Sequence, residues 1–80
     1  MSTTWTVDVI WEGTALFEKT YAYLQEALES YDEQVSFLLG SDTDIPDLGA
    51  QTVRLHDGEN VVGEQTIENG TVLDYHPIDA

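Results

Sequence analysis

The chain has no cysteine, and of its 80 residues only Lys19 and Arg54 carry a permanent positive charge. Without cysteine there is no disulfide, no thiolate metal ligand and no thiol nucleophile. With so little lysine and arginine there is no basic patch to follow nucleic acid phosphates or an anionic lipid surface. Long apolar runs are missing too: no stretch approaches the roughly 18 consecutive apolar residues of a membrane span. The opening Met-Ser-Thr-Thr-Trp lacks the basic start and apolar run of a secretory leader. Serine in a nucleophile-elbow context and a glycine-rich phosphate loop are both absent. These absences lead us to expect a cytoplasmic protein with no membrane insertion, no nucleic acid partner, no cofactor, no metal site and no catalytic activity.

What the sequence has in excess is acid. Sixteen Asp and Glu give a formal charge of −14, far beyond the modest net charge that keeps a small domain soluble. Self-repulsion at that density opposes a compact state unless salt, a cation or a basic partner offsets it. The composition is nevertheless that of a folded chain, since 41% of residues are hydrophobic and 10% aromatic, too apolar for a solvating acidic tail. The length accommodates one domain, residues 1–80, with one small core and a net stability of a few kcal/mol.

Residues 4 to 11 alternate, with Trp5, Val7, Val9 and Trp11 on one side and Thr4, Thr6, Asp8 and Ile10 on the other, the period of a half-buried strand. Glu12-Gly13 supplies a turn, and Thr14 to Glu18 returns as the second strand of a hairpin. Thr20 is placed to cap a helix. Beyond it Tyr21, Leu24, Leu28, Tyr31, Val35 and Leu38 form one apolar stripe, with Gly40 placed to end it. Glu26, Glu29 and Glu33 share another face of that helix. Val35, Phe37 and Leu39 also alternate, so 34–39 can be read as a strand; the unbroken stripe favours the long helix. Ser41 to Gly49 is a loop, Thr52 to His56 a strand, Asp57-Gly58 a turn and Glu59 to Val62 a short return strand. Glu68-Asn69-Gly70 is a further turn, and Thr71 to Tyr75 a last strand.

Three segments resemble the β-grasp fold of ubiquitin-like proteins. They are the opening hairpin that runs into Thr20–Leu28, the pair of short strands in Val53–Val62, and the entry to the last strand in Ile67–Leu73. The resemblance implies an α+β fold of order ββαβ(β)β, with a mixed four- to five-stranded sheet packed on one long helix. Ubiquitin-like modifiers, and the sulfur carriers of thiamine and molybdopterin synthesis, act through a tail ending in two glycines. This sequence ends Tyr75-His76-Pro77-Ile78-Asp79-Ala80. It is more similar to diglycine-free relatives such as the ubiquitin-like proteins of type VII secretion, which implies a non-catalytic protein-interaction domain. The alternatives are a modifier or sulfur carrier with an atypical tail, and an acidic nucleic-acid mimic that blocks a DNA-binding protein. Even spreading of the acids over loops and helix is what adaptation to a salt-rich cytoplasm produces, and it argues against a mimic.

The candidate residues are few. His56 and His76 read as strand-end residues, since a catalytic pair needs a third group and a pocket. Asp42, Asp44 and Asp47 share a loop, but the calcium-loop pattern needs glycine where Asp47 stands and an acid where Val53 stands. Trp5 and Trp11 are core anchors unless one lies on the outer sheet face, where it would centre a binding patch. Because β-grasp proteins bind partners through that face, the contact residues expected are Ile10, Trp11, Arg54 and His56, facing a protein partner of basic character.

Overall fold

The computed structural model describes residues 3–40, 49–68 and 70–79. Five strands and one helix follow in the order ββαβββ: β1 Trp5–Trp11, β2 Thr14–Tyr21, α1 Leu24–Gly40, β3 Gln51–His56, β4 Val61–Glu68 and β5 Thr71–His76. The strands form one sheet of order β2-β1-β3-β4-β5 packed against the helix. The fold is α+β with the β-grasp-like element order expected.

The sheet is antiparallel at every ladder rather than mixed. The connections explain why. β1–β2, β3–β4 and β4–β5 are joined by turns of two to four residues, and such short links pair only antiparallel strands. The one long crossover, through α1, makes β2 and β3 parallel to each other. They flank β1, so each runs antiparallel to it.

The first turn uses Glu12 and Gly13 with φ of 49° and 78°, the two left-handed residues that match a two-residue hairpin to the twist of its strands. Leu16 is left over as a bulge between the Val9–Phe17 and Ile10–Ala15 pairs. β2 does not stop at Glu18 and Thr20 does not cap the helix. Instead Thr20 pairs with Thr6, their hydroxyls 3.0 Å apart, and Tyr21 pairs with Trp5. A β-branched threonine serves either role, and the cross-strand partner decides it. The helix begins three residues later than Tyr21, and its entry is marked by Ala27 N donating to the Tyr23 carbonyl at 3.2 Å. Residues 34–39 are helical, so Phe37 points to solvent while Val35 is buried.

The expected short return strand at Glu59–Val62 is also longer than the sequence suggests. β4 starts at Val61 and runs to Glu68, pairing with the whole length of β3. Its polar middle, Glu64-Gln65-Thr66, hides it from a hydrophobicity reading. The β3–β4 turn is held by Asp57, whose Oδ1 accepts from the amides of Asn60 (2.9 Å) and Glu59 (3.2 Å). Those bonds hold the Asp57 carboxyl below the usual carboxylate range.

Val7, Val9, Val53, Leu55 and Ile67 from the sheet meet Ala27, Tyr31 and Val35 from the helix in the core, with Trp5, Phe17, Leu24, Leu28 and Leu38 packed around them. From Leu24 to Leu38 the stripe expected along the helix is the face that packs on the core, whereas Tyr21, its first expected member, belongs to β2. The Tyr31 hydroxyl is buried beside Gln65 with no partner in hydrogen-bonding geometry, and burial pushes its pKa up. Gly63 lies in β4 where the chain after β5 folds back: Asp79 N donates to the Val62 carbonyl at 2.7 Å, and Ile78 sits directly over Gly63. A methyl group there would stand 2.6 Å from the Ile78 side chain and 3.1 Å from its Cα.

Candidate interaction surface

The helix covers one side of the sheet, and the alternation of β1 and β3 sends Thr6, Asp8, Ile10, Thr52, Arg54 and His56 to the other. Register places Asp8 opposite Arg54 and Thr6 opposite His56. Arg54 grips Asp8 with two bonds, Nε to Oδ1 at 2.9 Å and Nη2 to Oδ2 at 3.0 Å, and His56 Nε2 lies 2.9 Å from Oδ2. Asp8 is only 3% exposed beneath them. The hydrogen bond to Asp8, against the opposing effect of burial, raises the guanidinium pKa further. Paired threonines flank the cluster, Thr6 with Thr20 and Thr52 with Thr66, each hydroxyl pair 3.0 Å apart.

An aspartate–histidine pair is the beginning of a general base. Here both Asp8 oxygens are already engaged by Arg54 and His56, and the pair lies on an open sheet face. The geometry is that of a closed structural ion cluster.

Of the four residues expected to form a contact patch, three share this face: Ile10, Arg54 and His56. Trp11 follows Ile10 in a strand that alternates without a break against β3, so it turns to the helix side. Asp8, the residue that organises the cluster, escaped the sequence reading. Its signal was an acid between Val7 and Val9 in a strand otherwise free of charge.

A second surface lies at β5. The sheet extends one strand beyond the helix, and all six residues of β5 are exposed. Val72, Leu73 and Tyr75 are uncovered there, with Leu39, Val61 and Ile78 also exposed. Asp74 accepts at 3.0 Å from the Tyr75 amide. On the outer side of β4 and β5, Glu64, Asp74 and His76 bring one ligand atom each to within 4.8 Å of one another, the one such group among the described residues. The loop of Asp42, Asp44 and Asp47 lies outside the described residues. No described helix is long and apolar enough to cross a membrane.

Comparison with known protein families, curated proteins and solved structures finds no match to this chain.

Proposed function

We propose that this chain is a non-catalytic protein-interaction domain of a salt-adapted cytoplasm that binds a basic, amphipathic segment of a partner protein along β5. The observation that carries this reading is the overhang of β5 past the helix, which leaves Val72, Leu73 and Tyr75 uncovered in an otherwise acid-rich surface. Tyrosine with neighbouring aliphatics is the composition of an interface centre. The strand and its neighbour are themselves acidic, with Asp74 in β5 and Glu64 and Glu68 in β4, a field that selects lysine and arginine in the partner. A second copy of the chain is disfavoured as occupant, because it would bring another −14 against the first. In molar salt the screening length falls to about 3 Å, so long-range attraction fades and apolar contact supplies the affinity.

Kinship with ubiquitin-like proteins rests, in this reading, on the ββαβββ order. The Asp8–Arg54–His56 cluster braces the sheet rather than greeting the partner, and the contact surface moves from Ile10, Trp11, Arg54 and His56 to β5.

Photo-crosslinkers placed at Tyr75 and, as a control, at Glu29 on the exposed helix face test the surface in native-salt lysate. A basic protein crosslinked from position 75 and not from 29 is expected, and Leu73→Ser should weaken its binding roughly tenfold, about 1.4 kcal/mol. Equal labelling from both positions, or no dependence on Leu73, overturns the reading. Displacement of the partner by duplex DNA would favour the nucleic-acid mimic instead.

A further inference from the structure

The two histidines of this chain meet carboxylates in different ways. His56 closes on Asp8 at 2.9 Å, the length of a charge-assisted hydrogen bond. His76 stands off: Nε2 is 3.4 Å from Asp74 Oδ2 and 3.8 Å from Glu64 Oε1. Donors bound to one tetrahedral divalent ion at about 2.0–2.2 Å lie about 3.4 Å apart. The His76–Asp74 separation matches that, and the other two, 3.8 Å and within 4.8 Å, need only a small side-chain rotation to close on an ion. The scaffold fixes it. Glu64 and His76 are cross-strand partners, and Asp74 is two residues before His76 on the same face of β5. No lysine or arginine fills the gap, since Arg54 is bound to Asp8 and Lys19 lies over the Tyr21 ring at the other edge of the sheet. Glu64 and His76 also line an open groove of about 520 Å³ whose wall includes Asp79, which leaves room for water on the ion.

We propose that Glu64, Asp74 and His76 form a divalent transition-metal site of zinc type, with one imidazole, two carboxylates and an open position for water. Imidazole selects zinc-like ions over magnesium and calcium, which prefer all-oxygen shells. A bound ion would clamp the edge strand β5 to β4. The sequence pointed to no metal because the ligands come from two strands whose register is not written in local spacing.

The test is calorimetric titration of the untagged chain with Zn²⁺, and separately Mg²⁺, in molar potassium nitrate, which screens diffuse counter-ion binding. Imidazole resonances are followed by NMR alongside. One saturable Zn²⁺ per chain is expected, with His76 ring signals moving before those of His56. His76→Ala and Glu64→Gln should each weaken binding about tenfold or more, while Glu29→Gln leaves it unchanged. His76 is exposed, Glu64 is half-buried and changes by one atom, and both lie outside the core, so these variants keep the fold. Non-saturable uptake, unchanged affinity in His76→Ala, or Mg²⁺ binding as tight as Zn²⁺ would each overturn the site.

Discussion

Asp8 shows how one residue can be both a burden and a brace. A carboxylate that is 3% exposed is costly to bury without a partner, and it takes up the chain's only arginine. Replacing Arg54 with Met keeps most of the packing but leaves that carboxylate with His56 alone. We expect a loss of about 2–3 kcal/mol, the lower end of what breaking a buried pair costs, because the guanidinium is partly exposed. The double variant Asp8→Val/Arg54→Met should recover most of it, as measured by urea denaturation. A double variant no more stable than Arg54→Met would show that the cluster does more than satisfy its own charges. The face on which Asp8 lies was legible from Val7 and Val9 on either side of it. Its partners were not, because they come from a strand 46 residues away and depend on register.

Among the elements, those set by local pattern were readable: β1 by alternation, α1 by its apolar stripe, the first turn by Glu12-Gly13. Those set by a neighbour were not. β2 runs on to Tyr21 because Thr6 and Trp5 wait across the ladder, and β4 runs to Ile67 because β3 needs a partner for its full length, with Glu68 added by its pairing to Thr71 of β5. Gly63 belongs to the second kind. Its lack of a side chain admits Ile78, which returns over β4 to cover its exposed flank. Gly63→Ala should dislodge the segment after β5, costing about 1–3 kcal/mol as overpacked positions do. The readout is the Asp79 amide, hydrogen-bonded to Val62 in the native chain, which should lose its protection from hydrogen exchange. An Asp79 amide still protected in a variant of unchanged stability would mean that Ile78 shifts without cost.

For the molecule as a whole, the balance is between a small valine-rich core and a charge of −14. Only one strong ion pair involves a permanent cation among the described residues, so the remaining carboxylates repel with little internal relief. Molar salt screens that repulsion. The melting temperature should therefore climb by several degrees, the shift of roughly 1 kcal/mol in a domain this size, between low and molar KCl. A flat melting temperature would refute salt adaptation. The charge was fully legible in the sequence; the overhang of β5 past the helix was not, because strand order decides which strand the helix leaves bare.

The two basic residues are also the only places where trypsin can cut, and the sheet holds both. Arg54 lies in β3, bonded to β1 on one side and β4 on the other, whereas Lys19 lies in the edge strand β2. Cleavage after Lys19 needs β2 alone to peel away; cleavage after Arg54 needs the sheet to come apart. Digestion under native conditions should thus release the fragment ending at residue 19 well before the one ending at residue 54, with the ratio of the two rates narrowing as salt is withdrawn. A routine protease becomes a two-channel gauge, one channel for fraying at the edge and one for loss of the fold.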